Sequence, residues 1–562
     1  IGDMSGDVFG NGMLLSRHIK LLAGFDHRHI FLDPDPDPAA SFAERERLFA
    51  LPRSSWADYN TSLISSGGGV YARSLKTIPL TPQIQAALGV SASELAPTEL
   101  IRAILLAPVD LLYNGGIGTY IKAARESHAQ VGDRSNDAIR VNGAELNCKV
   151  VAEGGNLGCT QFGRIEFAQK GGRICTDAID NSAGVDCSDH EVNIKIMLGL
   201  IVSEGEMTEK QRNKLLAEMT EEVGLQVLTD NYYQTQSLSV AGRRAASLLE
   251  PESRLIRFLE RAGRLDRAVE FLPSEEECAE RKTAKQGLTT PERAVLMAYD
   301  KMWLYEELLA SDLPADPFIA SSLAAYFPQP LRERYPEAMQ RHPLAREIIS
   351  TYLVNTLANR VGATFVHQLA DESGASPVDV LRASVIAREV FGFEEIWRDI
   401  DALDNLVPDA LQAQMFVDVG GLIEHASFWF LHRHTQEASI EATVARFRQA
   451  ADQLGPQLVS LLAASDAEAL KAKRDALIQA GVSEQLARRV ASAELIGAVL
   501  DIAEVAASTG RSLELVAAVY FALDVNLNFG WMRERASALP VDSHWQTLAR
   551  TALQSDLTGL PR

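Results

Sequence analysis

The pattern of apolar and polar positions changes at about residue 200 of the chain. Before that point, short apolar runs such as His29–Leu32 and Val109–Tyr113 alternate with helical spacing over Ala39–Leu51 and Thr160–Lys170. Apolar runs of this length that close on aspartate, asparagine or glycine are typical of strands whose turns lead into helices. The alternation predicts a mostly parallel sheet with helices on its faces.

Four more segments of this first region complete the prediction. Helical spacing indicates helices from Asn11 to Gly24 and from Thr98 to Leu106, and apolar runs indicate strands from Cys148 to Ala152 and from Arg173 to Ala178. Small and amide residues follow both of these strands. The region therefore reads as repeated strand, turn and helix units.

Helical periodicity takes over from residue 201 to residue 562. Ser376-Pro377 and Thr290-Pro291 each place a capping hydroxyl before a proline at the first helical position, and Ser483 and Ser512 open further helices. The aromatic run Phe428-Trp429-Phe430 is expected to pack in a helical core rather than to bind a cofactor. A large all-α region is predicted here.

Composition narrows the classes of function. The 562 residues carry a formal net charge of −21, so the chain lacks the basic balance of a nucleic-acid binder. No apolar stretch reaches the roughly 18 residues that cross a bilayer, and no charged-then-apolar leader opens the sequence. We expect a cytoplasmic protein with neither a nucleic-acid partner nor a membrane partner.

The five cysteines predict neither disulfides nor a metal site. Their number is odd and their spacing uneven, which does not fit a disulfide framework. Cys187 and His190 raise the question of zinc, but no Cys-x-x-Cys pair exists to anchor a structural site. Reduced, mostly buried thiols are expected.

The chain begins at Ile1-Gly2-Asp3 directly on a glycine-rich turn, and we expect it to be truncated before that turn. The turn consists of Gly6, Asp7, Val8, Phe9, Gly10, Asn11 and Gly12. Such glycines let a backbone approach a pyrophosphate at the start of a helix, although their spacing differs from the usual fingerprint. A glycine-rich turn without a ligand is the alternative.

Asp33 favours the nucleotide interpretation. It ends the run His29–Leu32, about twenty residues after the last glycine of the turn, where a carboxylate accepts hydrogen bonds from the adenosine ribose. Its charge would repel a 2′-phosphate, so NAD is favoured over NADP. The alternative is a solvated turn residue beside Pro34. With Asp33 the fold prediction becomes a Rossmann-like nucleotide-binding domain over residues 1–200, N-terminally truncated, followed by a helical domain over residues 201–562.

Polar residues close three predicted strands. Asn114 ends the first, Glu153-Gly154-Gly155-Asn156 the second and Asn181-Ser182-Ala183-Gly184-Val185 the third, and Ser188-Asp189 then looks like the cap of a helix. Ligands of open α/β sheets bind at the carboxyl ends of the strands. Asparagine and glycine are also common turn formers without any ligand.

These motifs resemble one family. Gly2 to about Met197 is similar to the nucleotide-binding domain of glutamate dehydrogenases. The sequences of Gly2–Gly12 and Asp180–Glu191 resemble the large bacterial NAD-specific branch of this family, and so does that of Leu288–Leu296 in the helical region.

The resemblance implies roles for individual residues. Glu153 to Asn156 matches the family's strand end beside the nicotinamide, and implies that Asn156 contacts the nicotinamide ribose. Asn181 to Ser188 matches a substrate motif. It implies that Asn181 and Val185 line the pocket and that Ser188 binds the side-chain carboxylate of L-glutamate. Asp186 departs from the motif, which has a neutral residue there.

The catalytic residues are expected upstream of Ile1. The family's catalytic lysine and aspartate lie in a preceding domain, and Lys76, Lys122, Lys149 and Lys195 match no such motif. We expect these four lysines at the surface. The resemblance implies oxidative deamination of L-glutamate to 2-oxoglutarate and ammonia by a homo-oligomer, whereas the isolated chain would bind NAD weakly without turnover.

Two other functions stay open. The same fold would serve an NAD-dependent dehydrogenase of leucine or phenylalanine, although the polar setting of Ser188 favours a polar substrate side chain. A non-catalytic interaction module with a vestigial nucleotide fold is the alternative from another class of protein.

Overall fold

The structure, a computed structural model, describes residues 1–2, 12–433, 439–540 and 544–560. Two compact units divide them. The first comprises residues 1–238, 244–299 and 327–342, and the second comprises residues 239–243, 300–326 and 343–562. The predicted boundary between a nucleotide-binding domain and a helical domain at residue 200 remains a prediction.

All the described strands belong to the first unit, and they are short. They are β1 (Ala23–Phe25), β2 (His29–Leu32), β3 (Gly69–Ala72), β4 (Ile78–Pro79), β5 (Glu94–Leu95), β6 (Leu111–Asn114), β7 (Ile121–Lys122), β8 (Val141–Asn142) and β9 (Val150–Glu153).

Parallel pairing is confined to two pairs of these strands. β6 pairs with β9 and β7 with β8 in parallel, whereas β1-β2-β3 and β4-β5 are antiparallel. The main chain of Ile1 and Gly2 connects two sheets. The Ile1 nitrogen donates to the Tyr113 carbonyl at 2.6 Å, the Gly115 N–H donates to the Ile1 carbonyl at 2.9 Å, and the Gly2 N–H donates to the Phe25 carbonyl at 2.8 Å.

Helices make up most of the molecule. Those up to residue 261 are α1 (Pro38–Ala50), α2 (Pro82–Leu88), α3 (Pro97–Leu105), α4 (His128–Val131), α5 (Gln161–Gln169), α6 (Asp177–Asp180), α7 (Ala183–Ser203), α8 (Glu209–Glu218), α9 (Thr220–Arg243) and α10 (Ala245–Arg261).

The later helices run to the end of the described chain. They are α11 (Glu275–Thr283), α12 (Thr290–Leu309), α13 (Pro317–Ala320), α14 (Leu323–Tyr326), α15 (Gln329–Arg334), α16 (Pro336–Gln340), α17 (Ala345–Val361), α18 (Phe365–Ser373), α19 (Pro377–Phe391), α20 (Phe393–Asp401), α21 (Asp409–His432), α22 (Ile440–Leu454), α23 (Leu458–Leu461), α24 (Ala464–Gln479), α25 (Glu484–Ile496), α26 (Val499–Thr509), α27 (Leu513–Asn526), α28 (Phe529–Ser537) and α29 (His544–Gly559).

Two predicted elements were wrong. Instead of a helix from Asn11 to Gly24, the described part of that segment has one 3₁₀ turn at Gly12–Leu14 and then extended chain into β1. Its apolar side chains are used by packing, since Met13 and Leu21 cover the cluster around Phe31. Of the predicted strand Arg173–Ala178, only Arg173 pairs, through a single bridge to Val150, before α6 begins.

The large α/β sheet of the prediction is therefore corrected to a mostly helical fold with small sheets. The elements predicted from clear local patterns are confirmed, among them β2, α1, α3 and α5. Three of the four predicted caps, Ser376, Ser483 and Ser512, accept a hydrogen bond from the N–H three residues on. The fourth was wrong, because Thr290 is the first residue of α12 and Thr289 bonds to Glu292 in its place.

Apolar packing in the first unit positions the strand ends. Its main cluster joins Leu112 of β6 and Val151 of β9 to Ile101 and Ile104 of α3 and to Phe167 of α5. β6 and β9 are thus fixed side by side, with their carboxyl ends at one edge.

No single helix among the described residues is long and apolar enough to span a membrane. By length and composition alone, α27 and α28 pass that test together as a pair bent by 65°.

Candidate functional site

The candidate site lies where β6 and β9 end. Asn114 and Glu153 are partners in the parallel register, so both strands end at the same level. The Gly155 N–H donates to the Asn114 carbonyl at 2.9 Å and continues the pairing by one step. Two of the predicted cofactor residues are therefore neighbours.

Close approach requires glycine at this edge. A Cβ at Gly154 would overlap the hydroxyl of Tyr113, and one at Gly158 would overlap the side-chain amide of Asn114. A Cβ at Gly12 would lie 3.5 Å from the ring of Tyr113, so the last glycine of the opening turn reaches the same place. Tyr113, which sequence reasoning did not single out, lies between the two predicted glycine segments.

The other residues predicted in the opening turn, Gly6, Asp7, Gly10 and Asn11, lie outside the described residues.

Asn114 carries a polar atom without a partner. Its side chain is 3 % exposed, and its Nδ2 makes no hydrogen bond within the described structure. An unsatisfied buried amide N–H costs about 1–3 kcal/mol. A donor held in this state at a strand end fits an acceptor that a ligand would supply.

Asp33 follows β2 and is 1 % exposed. Its Oδ1 accepts from the Ser65 N–H at 3.1 Å and from the Ser65 hydroxyl, whereas its Oδ2 has no partner among the described atoms. The carboxylate is thus held by one oxygen and has the other available. A solvated turn residue, the alternative interpretation of Asp33, does not fit this burial.

Glu153 lies in a buried charge network that sequence reasoning missed. Both of its oxygens accept from Arg164 of α5, at 2.7 and 3.0 Å, and Oε1 also accepts from the Cys159 N–H at 2.9 Å. Glu153 is fully buried, and burial raises the pKa of its carboxyl while Arg164 opposes that shift. The burial of Glu153 favours a role in holding Arg164 and the loop after β9. Its predicted contact with the cofactor remains a prediction.

Two aspartates of α6 complete this network. Asp177 lies 3.0 Å from the Arg164 guanidinium and accepts from the Leu157 N–H at 2.8 Å. Asp180 accepts from the Glu153 N–H at 2.9 Å, and burial, with the nearby charge of Glu153, raises the pKa of Asp180 to about 7. Two carboxyls thus share the Arg164 guanidinium, and the third is bound to the backbone of Glu153.

Leu157, in the loop after β9, has a left-handed backbone with φ of 60°. Its N–H is held by Asp177, and its carbonyl accepts from the Thr119 hydroxyl at 2.7 Å. The loop that carries Asn156 is therefore fixed from both sides by side chains.

The predicted substrate residues lie along α7. Asn181 precedes the helix, and Val185 and Ser188 follow at positions four and seven residues later, on the same face. Val185 is 78 % exposed and Ser188 is exposed too. Ser188 lies inside the helix, which begins at Ala183, so its prediction as a helix cap was wrong.

A hydrogen bond joins the two predicted halves of the site. The Asn181 side-chain amide donates to the Asn156 side-chain oxygen at 2.7 Å. Behind it, Asn231 of α9 donates to the Ile179 carbonyl at 2.6 Å and to the Ser182 hydroxyl at 3.0 Å. Asn231 was missed because it lies fifty residues further on, in a helix without a recognisable motif.

The four lysines divide three to one. Lys76, Lys149 and Lys195 are exposed as predicted. Lys122 is buried, and its ammonium donates to the Asn142 side chain at 2.6 Å and to the Ala123 carbonyl at 3.0 Å. The prediction of a surface lysine was wrong there, because the end of β8 supplies polar partners.

Comparison with known proteins gives two family matches in succession. Residues 1–241 match the bacterial NAD-glutamate dehydrogenase catalytic domain, and residues 285–562 match the glutamate dehydrogenase C-terminal family.

Curated relatives match over nearly the whole chain. An NAD-specific glutamate dehydrogenase of Pseudomonas aeruginosa is 50 % identical over 557 residues, which are 99 % of this chain and 34 % of the relative. Proteins of the same description are 48 % identical in Halomonas elongata, over 99 % of this chain and 34 % of the relative, and 47 % identical in Mycobacterium tuberculosis, over 100 % and 35 %. The chain spans about a third of the length of these relatives.

Proposed function

The chain belongs to the large bacterial NAD-specific glutamate dehydrogenase family, and from that premise we propose that it forms the nucleotide-binding part of an enzyme that deaminates L-glutamate. The reaction yields 2-oxoglutarate and ammonia, and NAD accepts the hydride. The hydrogen bond between Asn181 and Asn156 carries the proposal. The resemblance gives substrate contact to one of these residues and nicotinamide-ribose contact to the other, and they lie within one hydrogen bond.

The residues of the site fit NAD. Asp33 Oδ2 has no partner among the described residues and is an acceptor suited to a ribose hydroxyl. Asn114 Nδ2, which also has none there, is a donor at the end of β6. The glycines after β9 let Tyr113 and the side chain of Asn114 pack against the loop that carries Asn156. We assign Asp33 to the adenosine end and Asn114 and Asn156 to the nicotinamide end. Gly6, Asp7, Gly10, Asn11 and Gly12 are proposed to hold the pyrophosphate.

A Rossmann-like arrangement is part of the proposal. The backbone of Ile1 and Gly2 hydrogen bonds to Phe25 beside β1 and to Tyr113 and Gly115 beside β6. This supports a strand between them that leads into the glycine turn, with β9 beyond β6. The nucleotide would then lie across the carboxyl ends of that sheet.

On the substrate side, the chain contributes binding and orientation. Asn181 would be oriented by Asn156 in front and, through the turn that Asn231 holds, from behind. Ser188 would donate its hydroxyl proton to the substrate's side-chain carboxylate, and Val185 would cover the carbon chain. Catalytic proton transfer is assigned to residues outside this chain.

We further propose that the enzyme is a homo-oligomer. Apolar side chains are exposed along the C-terminal helices, among them Leu515, Val519, Leu527, Trp531 and Trp545, and exposed apolar area of this kind is typical of contact surfaces.

The test is NADH formation by the complete polypeptide with L-glutamate, L-leucine and L-aspartate, using NAD and then NADP. We expect activity with glutamate and NAD alone. Activity with leucine would overturn the assignments of Ser188 and Val185 and keep the fold. No activity with any pair, together with no enhancement of NADH fluorescence on titration, would favour the non-catalytic module instead.

A further inference from the structure

One buried histidine near the start of α7 has two carboxylates beside it. His190 is 3 % exposed, and Asp186, one helical turn earlier, places its Oδ1 3.9 Å from the His190 Nε2. Asp230 of α9 completes the group, and one ligand atom from each residue lies within 4.8 Å of the others. We propose that Asp186, His190 and Asp230 bind one divalent transition-metal cation, with Zn²⁺ as the first candidate.

The separation between Asp186 and His190 fits two ligands of one ion. At 3.9 Å the imidazole nitrogen and the carboxylate oxygen are too far apart for a hydrogen bond. Zinc bonds to nitrogen and oxygen are ~2.0–2.2 Å long, so two ligands of one ion lie about 3.4 Å apart in tetrahedral geometry. Small side-chain rotations would bring the three atoms to that distance.

The chemistry of the donors selects the class of metal. A neutral imidazole binds transition metals and is a poor ligand for Mg²⁺ or Ca²⁺. Three protein ligands leave a fourth position for water.

The two helices that carry the ligands are fixed to each other locally. Asn231, the neighbour of Asp230, donates to the Ile179 carbonyl and to the Ser182 hydroxyl, just before α7 begins. Asp230 is therefore held beside the first turns of α7 without a metal, so that binding needs little rearrangement.

Sequence spacing alone pointed to a different pair. The sequence raised zinc for Cys187 and His190 and predicted no metal site because no Cys-x-x-Cys pair exists. Of these two residues only His190 belongs to the group of converging atoms, and Cys187 is exposed. The polar Asp186, which departs from the family's substrate motif, has a role as a ligand in this proposal.

The test is metal titration of the complete polypeptide after treatment with a chelator. Cobalt, which reports nitrogen and oxygen coordination by its visible absorption, is added first and then displaced with Zn²⁺. Asp230→Asn keeps the size of a half-buried side chain and removes a ligand charge. We expect the Zn²⁺ affinity of this site to fall at least about 10-fold. Changing a residue that only hydrogen-bonds a metal ligand typically costs about that much, and loss of a ligand should cost no less.

Glu191→Gln is the matched control, because it removes the same charge from an exposed neighbour on α7 and should leave affinity unchanged. His190→Gln should also abolish the cobalt spectrum of this site. Circular dichroism checks the fold of His190→Gln. If His190→Gln unfolds, Asp230→Asn alone decides the question. Equal Zn²⁺ affinity in the native protein and in folded Asp230→Asn would overturn the proposal, whatever the outcome for NAD.

Discussion

Two buried regions, one in each compact unit, are built differently. At the end of β9 in the first unit, Glu153 and Asp177 pair with Arg164. Asn114 at the end of β6 and Asp33 after β2 each have a buried atom without a partner among the described residues. In the core of the second unit, aromatic rings pack edge to face. The ring centroid of Phe447 lies 5.3 Å from that of Trp429 and 5.4 Å from that of Phe430. There, Asp501 accepts from the Trp429 indole N–H at 2.6 Å.

We take this difference to mark the proposed ligand site in the first unit. Buried charge is costly and stabilises a fold poorly compared with apolar packing, so a network of it at strand ends indicates that position matters more than stability there. The aromatic run of α21 packs as the sequence predicted. Changes in the first unit should therefore affect ligand binding and stability together, and changes in the second unit should affect stability alone.

The largest effect is expected from Arg164→Leu. Removing the guanidinium leaves the buried Glu153 and the half-buried Asp177 without their cation, and breaking a buried pair costs about 3–5 kcal/mol. The free energy of unfolding in urea should fall by that amount, and NADH fluorescence enhancement should be lost. Arg125→Leu is the control. The exposed Arg125 guanidinium lies over the ring of Phe162, which belongs to α5 as Arg164 does, and this contact contributes about 1 kcal/mol or less. Equal losses in both variants would contradict the network.

The next effect is a pH dependence due to Asp180. Its folded pKa of about 7 lies above the ordinary value of 3.8, so the folded state holds the proton more tightly than the unfolded state. Stability from this group is fully present below about pH 4 and is lost as pH rises through about 7. The loss is on the order of 2–4 kcal/mol, since one pKa unit corresponds to ~1.4 kcal/mol.

Asp180→Asn should remove this slope, because an amide oxygen still accepts from the Glu153 N–H and does not titrate. Unfolding in urea at several pH values between about 4 and 8 measures it. A slope as steep in the variant as in the native protein would show that other groups cause it.

In the second unit, Trp429→Phe leaves the buried Asp501 without its indole donor. A lost partner of this kind costs about 1–3 kcal/mol. Leu406→Ala changes an exposed side chain (72 % exposed) and should alter stability by less than about 0.5 kcal/mol. Thermal unfolding compares the two variants. Both should bind NADH as the native protein does, and weaker binding in Trp429→Phe would break the division between the units.

The smallest effect is expected at a helix cap. Ser376→Ala removes the hydroxyl that accepts from the Asp379 N–H at the start of α19, at a cost of about 1 kcal/mol. Ser508→Ala, near the end of α26, is the control and should change little, because its exposed hydroxyl donates to the Val505 carbonyl of its own helix. A shift in thermal midpoint equal for both would mean that the cap contributes nothing.

Local patterns predicted the helices well and the sheet poorly. The caps at Ser376, Ser483 and Ser512 need only a few neighbouring residues to form, and all three are present. Strand pairing depends on distant residues. The segment from Arg173 pairs at one position before its chain turns into α6, because Asp177 and Asp180 are drawn to Arg164 and to the Glu153 N–H.

For the site, sequence motifs identified residues but not their connections. Asn156 and Asn181 were recognised separately, and only folding brings them within a hydrogen bond. Arg164 gave one signal that could have been used, since it lies on the inward face of α5 beside buried Ile165 and Phe167. A charged residue at such a position requires a buried partner. Asn231 offered no comparable signal.

The left-handed backbone of Leu157 affects how a ligand would be bound. A residue with a branched side chain adopts that conformation at a cost of roughly 1–2 kcal/mol, and Asp177 and Thr119 hold it there in the absence of any ligand. The entropy of ordering this loop is therefore lost when the chain folds. A dinucleotide that meets Asn156 would find it already oriented, so replacing Leu157 with glycine would relieve strain in the free protein and weaken preorganisation for the ligand.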